Sequence, residues 1–311
     1  MTDRLDWNVA VYCLNEAVRL RGCLDSITKA LGSRRYVVTV LFNGTTDGGV
    51  EIARDAARKL ADQPGASMEI FRIATPDKAN AINRFLHELR RPARFYAGID
   101  GYVHIGTGSF TAMEERLAEA PYALAMSGSA ITGRSMKRFT AETLSRGGRL
   151  HGQFHALRPA FVEAMVARGI RLPIGLYFGD GLMNSMAAHN LDPMGTPWDN
   201  MRSQGASGAQ YALPVLSPFR TSDIRRHFRR KVRQHRGRIQ SQAIKEIIYQ
   251  AGYEALPSDA NVMERDYIAR HGLPPAGLSG RLFQWLAVRQ IQHEAARVNP
   301  DFTAHPVEIG A

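Results

Sequence analysis

Cysteine is nearly absent from this chain of 311 residues, with Cys13 and Cys23 its only examples. Two thiols this close together inside one strand-helix unit make no disulfide framework, so they read as buried free thiols in a reducing compartment. Long apolar runs are missing as well: no stretch approaches the roughly 20 residues needed to span a bilayer. The opening "MTDRLDWNVAVYCLNEAVRLRG" carries acids before its apolar run, which stops at Asn15 and Glu16, so no signal peptide is expected. The expected location is the cytoplasm, peripheral to the inner face of a membrane where the chain meets one. No GxGxxG follows a strand and no GxxxxGK[ST] occurs anywhere, which removes the usual signatures of dinucleotide dehydrogenases and P-loop enzymes. Internal repeats and low-complexity tracts are also lacking.

Hydrophobic residues make up 44% of the sequence, enough for one large domain, or one domain with a sizeable extension. The formal net charge is +11, and it is unevenly spread. From Arg220 to Arg238, "RTSDIRRHFRRKVRQHRGR" holds nine Lys or Arg against one Asp, while the rest of the chain is close to balanced. A partner bearing phosphates, whether lipid, nucleotide or nucleic acid, suits such a segment.

Residues 8 to 100 repeat a β-rich run followed by a helical stretch. "NVAVYCL", "YVVTVLF", "MEIFRIA" and "ARFYAGI" read as strands. "EAVRLRGCLDSITKAL", "TDGGVEIARDAARKLADQ" and "PDKANAINRFLHELRR" read as helices with apolar spacings of three and four. Such alternation predicts an α/β fold, a Rossmann-like and mostly parallel sheet with helices on both faces. Further on, a helix is expected near 108 to 119, a strand in "YALAMSGSA", a Gly- and Arg-rich stretch over 133 to 154, and a helix in "RPAFVEAMVARG". The predicted division is a catalytic domain over 1–219 and a basic, mainly helical extension over 220–311. That extension carries helices around 239 to 254, 259 to 270 and 279 to 297.

Several residues could carry chemistry. Asp100 closes the strand "FYAGID", at the sheet edge where open α/β sheets bind ligands. "FNGTTDGG" after the second strand offers free N–H groups and a helix start suited to a diphosphate, or is an ordinary loop capped by Thr46 or Asp47. Asp180 in "FGDGLMNSM" sits where a helix dipole would stabilise its ionised form, either as a reactive carboxylate or as a plain cap.

Taken in order, "VYCLNE", "FNGTTDGG", "DKANAIN", "GIDGYV" and "YFGDGLM" resemble the motifs of glycosyltransferase family 2, the inverting nucleotide-sugar transferases of GT-A fold. The resemblance covers roughly residues 8 to 190. It implies transfer of a single sugar from a nucleotide-sugar donor, UDP-linked by expectation, to a hydroxyl on a glycan or lipid-linked acceptor. It implies Asp180 as catalytic base, with Cys13, Asn15, Glu16, Asn43, Lys78 and Asp100 around the donor. Asn43 would stand where the family often has an Asp accepting from a uracil N–H, which an Asn carbonyl can also do. Lys78 would offset diphosphate charge. On the acceptor side it implies His151, Gly152 and His155, although each His could be structural. Separately, Trp198 in "GTPWDNMRS" could stack on an acceptor ring or be a core residue.

Two departures bear on the cofactor. Gly179 stands where the family commonly has Glu, and Tyr102 where D-x-D has its second acid. A phenol is a poor ligand for Mg²⁺ or Mn²⁺. Three readings remain: a divalent metal held by Asp100 with donor phosphates, a Mn²⁺ ion that also uses His104, or no metal, with Lys78 or an Arg near 134–149 meeting the leaving group.

In the basic segment, Ile224, Phe228 and Val232 recur every four residues, so a helix would carry an apolar stripe amid cations and could lie on an anionic membrane through residues 220–238. The processive family motif Q-x-x-R-W is incomplete in "RQHRGR", which argues for single transfer. The competing class is a nucleic-acid-binding protein acting through the same Arg-rich segment, or a transferase-like fold without catalysis. The chain has no recognised DNA or RNA module, so nucleic acid is the disfavoured partner.

Overall fold

The computed structural model describes residues 4–214, 221–275, 277–294 and 300–310. The first half follows the expected alternation: β1 (Leu5–Cys13), α1 (Ala17–Leu31), β2 (Tyr36–Asn43), α2 (Gly49–Leu60), β3 (Ala66–Ile73), α3 (Lys78–Arg84) and β4 (Ala93–Asp100). A single π-helical turn over Phe85–Leu89 extends α3. Then come β5 (His104–Ile105), α4 (Ser109–Glu119), β6 (Ala125–Ala130), α5 (Arg134–Arg146), β7 (Phe154–Leu157), α6 (Pro159–Ala167), α7 (Gly179–Ala188) and β8 (Ser203–Ala212). The C-terminal part holds α8 (Thr221–Ala251), α9 (Ala260–His271), α10 (Leu278–Glu294) and β9 (Ala304–Pro306).

Nine strands among the described residues form one sheet in the order β5-β8-β6-β7-β4-β1-β2-β3-β9. The block β4-β1-β2-β3 is parallel throughout, as crossover helices require. β7 and β9 flank it with antiparallel pairings. The period-two alternation of each strand divides the apolar residues between two cores. Val9, Val11 and Cys13 of β1 join Leu20, Leu24 and Phe110 on one face, while Ala10 and Tyr12 join Ile82, Met183 and Ile248 on the other. Helices therefore cover both faces. Cys13 and Cys23 are free and buried as expected, and burial pushes both thiols up.

Three departures from the sequence expectations concern the second half. The Gly- and Arg-rich stretch contains a regular helix, α5, ended by Gly147 at a φ of 64°. "SQGASGAQYA" forms the ten-residue strand β8 without the β-branched residues that would have signalled it. The basic segment and the helix expected from 239 are one continuous helix of 31 residues.

The extension also shares its core with the N-terminal half. Val232, Arg236, Ile239, Gln240, Ala243, Ile244 and Ile248 of α8 are buried at helical spacing, and Ala243, Ile244 and Ile248 belong to the same apolar core as residues of α3, α6 and α7. Of the expected stripe, Val232 is buried and Phe228 lies exposed with its ring 5.3 Å from Phe283 of α10, while Arg220 and the side chain of Ile224 lie outside the described residues. Arg236, counted among the surface cations from sequence, is fully buried and forms a fork with Glu264 at 2.8 and 2.9 Å. Finally, β9 returns to the edge of β3, and the Phe302 carbonyl accepts from Asn80 Nδ2 and Arg84 Nε of α3 at 2.9 and 3.0 Å. The boundary at 219/220 thus divides the chain without dividing the packing.

Candidate active site

Because β1, β2 and β4 are parallel, their C-terminal ends share one rim, and the loops that follow them converge there. Tyr12 and Asp100 are register partners at that rim. Asp100 falls on the same side of β4 as Tyr96 and Gly98, facing α3, and is nearly buried. Its Oδ1 pairs with Lys78 Nζ, and its Oδ2 accepts from the Tyr102 hydroxyl at 2.8 Å. The next residue turns the chain against β1: Gly101 N–H donates to the Tyr12 carbonyl at 2.9 Å, and a Cβ there would stand 2.6 Å from Cys13 Sγ. Glycine at 101 therefore lets this turn lie close against the end of β1.

Lys78 opens α3, whose N-cap Asp77 accepts from Asn80 N–H at 2.7 Å. The other Asp77 oxygen accepts from Gly175 N–H at 2.6 Å, tying the start of α3 to the loop ahead of α7. Asp77 N–H in turn donates to Asn43 Oδ1 at 2.6 Å, so Asn43 links the end of β2 to the Lys78 loop. Gly44, at a φ of 71°, packs on Pro76 so closely that a Cβ would lie 2.5 Å from the ring. Asn15, at a φ of 54°, accepts from Thr46 N–H at 2.8 Å and binds the loops after β1 and β2 together. Glu16 caps the start of α1 beside Arg19, 3.2 Å away. Lys78 Nζ also donates to the Gly152 carbonyl at 3.2 Å and lies 5.8 Å from the centre of the Tyr12 ring.

Gly152 is the bridge to Asp180. A Cβ on Gly152 would stand 3.0 Å from Asp180 Oδ2, so the carboxylate lies in tight contact with β7's leading loop. Burial raises the Asp180 carboxyl above its ordinary value, the charge of Lys78 opposes the shift, and the main-chain N–H groups of Gly181, at 3.0 Å, and Gly152 oppose it further. The charge of Asp100 adds to the rise, as expected for two carboxylates sharing one cleft.

The remaining candidates are placed differently. His151 is buried, with Nε2 3.0 Å from Thr143 Oγ1, Nδ1 3.2 Å from the Tyr211 hydroxyl, and its ring stacked on Phe139. Both ring nitrogens face the protein's own groups, so the ring is a core element instead of an acceptor contact. His155 is buried under the site, its Nδ1 3.0 Å from the His151 carbonyl and its ring against Gly98. Burial pushes both imidazoles down to about 4. Trp198 is 45% exposed, donates to Asn200 Oδ1 at 2.6 Å, and meets His189 edge to face, so it is not a core residue. His104 is exposed on β5, paired with Ala212 at the far edge of the sheet. A concavity of about 560 Å³ lined by Arg4, Pro92, Arg94 and Arg158 opens where β1 and β4 begin, at the end opposite the carboxylates.

Sequence reasoning missed two members of the cluster. Tyr102 marked only a lost acid, whereas its hydroxyl bonds the acid that remains. Tyr12 showed nothing beyond strand character, yet its ring underlies Lys78.

A mannosyltransferase from Pyrobaculum calidifontis, solved with GDP-Man and Mn²⁺, superposes with a TM-score of 0.57 at 16% identity, over 96% of this chain and 78% of that one. The chain has a glycosyltransferase fold. S. aureus TarS gives a TM-score of 0.52 at 14% identity over 86% of this chain and 43% of the other. TarS 1–349 with UDP-GlcNAc gives 0.51 at 13% identity over 92% and 80%. No family model and no curated protein matches the sequence.

The Mn²⁺ in the first neighbour raises the question of fit here. A hard divalent cation takes six or more oxygen ligands, carboxylates foremost. In this cleft Asp100 has one oxygen on an ammonium and the other on a protonated phenol, and no group of three His, Cys, Asp or Glu gathers among the described residues. The donor set around Asp100 does not fit such an ion.

Proposed function

We propose that the protein is a family 2 glycosyltransferase that moves one sugar from a nucleotide-sugar donor, UDP-linked by preference, to a hydroxyl of a glycan or lipid-linked acceptor with inversion. The observation that carries this reading is the linkage of the two carboxylates: Lys78 bonds both Asp100 and the Gly152 carbonyl, and Gly152 abuts Asp180. Asp100 and Asp180 are thus linked through Lys78 and Gly152 near the rim of the parallel strands, which supports a donor site beside a base, and the loop N–H groups after β1 and β2 suit a diphosphate.

In the reaction, the acceptor oxygen forms its bond to the anomeric carbon as the bond from that carbon to the diphosphate oxygen breaks. The hydroxyl proton passes to Asp180, and the electron pair of the broken bond leaves with the nucleoside diphosphate, whose charge meets Lys78. A carboxylate held above its ordinary pKa is the stronger base for this step. Asn15, Glu16, Asn43 and the backbone at Cys13 line the nucleotide side, and Gly152 leaves room for a sugar beside Asp180. Trp198, exposed near the α7 end, is available for stacking on an acceptor ring.

The acceptor reading gains support from the outer face of the extension. Lys231, Arg233 and Arg238 of α8 are exposed, and the neighbouring α10 exposes Leu282 and Trp285 beside Arg281 and Arg289. Cations flanking exposed apolar side chains suit an anionic bilayer surface, on the cytoplasmic side by this reading. Asp180→Asn tests the enzymatic core: nucleotide binding persists while sugar transfer falls by orders of magnitude. Transfer at a wild-type rate would remove Asp180 as the base.

A further inference from the structure

We infer that Lys78 stands in for the divalent cation, so that the cleft binds a nucleoside diphosphate without metal. The inference rests on the transferase reading and concerns the same site. Three features carry it. First, Asp100 is the carboxylate that the D-x-D resemblance would assign to a metal, and both of its oxygens already receive protein donors, Lys78 Nζ and the Tyr102 hydroxyl at 2.8 Å. Second, the ammonium is held in place: it also bonds the Gly152 carbonyl at 3.2 Å and lies over the Tyr12 ring, and its stem leaves a helix start fixed by the Asp77 cap. Third, the Lys78 side chain is 41% exposed while that of Asp100 is 10% exposed, so the cation is the part of the pair that a ligand reaches first. An ammonium has three N–H donors. Two serve Asp100 and Gly152, and the third remains for a phosphate oxygen.

The chemistry is self-consistent. Asp100 orients and anchors the cation instead of ligating one, Tyr102 satisfies the oxygen that Lys78 does not, and the ammonium supplies the positive charge that a leaving diphosphate needs. A divalent ion entering at Asp100 would have to displace both donors and sit beside an ammonium, with like charges at close range.

Calorimetric titration of UDP and of GDP into the full-length protein, once in EDTA and once in Mn²⁺, tests the inference. The expected result is binding in EDTA with an affinity that Mn²⁺ changes by less than about twofold. Lys78→Met should weaken binding by about tenfold or more in both buffers, with Lys78→Arg recovering part of it, and with thermal unfolding used to show that each variant is folded. Replacing Lys78 by Met and Tyr102 by Asp together rebuilds the acidic pair and frees it, so that double variant should bind the nucleotide more tightly in Mn²⁺ than in EDTA. Wild-type binding that appears only with Mn²⁺ would overturn the inference while leaving the transferase reading intact. No binding of either nucleotide in either buffer would count against the transferase reading itself, and the inference would go with it.

Discussion

Replacing Arg236 by Met probes how the basic extension supports the cleft. Arg236 and Glu264 are both fully buried, joined by two N–H···O bonds of 2.8 and 2.9 Å. The guanidinium also donates to Asn261 Oδ1 at 2.5 Å, and to the Tyr177 hydroxyl at 3.3 Å, with the Tyr177 ring centre 5.0 Å away. Withdrawing one partner of a buried ion pair costs about 3–5 kcal/mol, because the other charge stays behind in a low-dielectric interior. Against a total stability of about 5–15 kcal/mol that is a large fraction. At about 2 °C per kcal/mol for a chain of this size, the expected fall in Tm is roughly 6–10 °C. Changing Glu264 to Leu in the same protein removes the stranded carboxylate, so the double variant should regain most of the loss. Urea denaturation of wild type, both single variants and the double variant closes the cycle. A loss below about 1 kcal/mol for Arg236→Met, or a double variant no better than the single, would refute the assignment of this arginine as an internal tie.

Asp180→Asn should also report on stability. The folded chain binds the Asp180 proton more tightly than the unfolded chain, so this group's contribution is present below the ordinary carboxylate value and is lost as pH rises through the raised one. The Asn variant should therefore melt higher than wild type near neutrality, with the difference vanishing in acid; a pH-independent difference would contradict the raised value. His151 and His155 act in the opposite direction. Both are depressed to about 4, so stability is whole above 6.5 and is lost as pH falls toward 4, with about 2 kcal/mol per imidazole gone near pH 5. Changing both to Gln should flatten denaturation midpoints across that range. Gly98→Ala would place a Cβ 2.6 Å from the buried His155 ring and should cost about 1–3 kcal/mol by overpacking, measured by urea titration. Leu282→Ala combined with Trp285→Ala should reduce sedimentation with anionic vesicles without changing nucleotide affinity; unchanged sedimentation would exclude α10 as the membrane face.

The first half was readable because a parallel sheet covered on both faces demands continuous apolar strands, and "NVAVYCL" and "YVVTVLF" are such runs. The helices between them carry one apolar face each, and their observed limits lie within a few residues of the pattern. β8 escaped because Gly, Ser and Ala carry little strand preference, and this strand is held by pairing with β6 and β5. α8 was divided in two because its charge masked an apolar stripe that runs on through Ile239, Ala243 and Ile248. Arg236 looked like one more surface cation, since its partner lies 28 residues ahead on another helix. The ordered motifs singled out Lys78, Asp100 and Asp180, which the structure brings into one cleft. That the Tyr102 hydroxyl turns back onto Asp100 depends on the local turn, and the contact of Gly152 with Asp180 depends on loops 28 residues apart.

The strand that closes on β3 gives the chain a temporal order. Phe302 anchors Asn80 and Arg84 across 222 and 218 residues of sequence, in the same helix that begins at Lys78. At about 5–20 residues per second, a ribosome would need roughly 10–40 s between releasing that helix and releasing its last hydrogen-bond acceptor. Until then the outer edge of β3 stays unpaired by β9, and the helix that begins at Lys78 lacks the acceptor that ties it down.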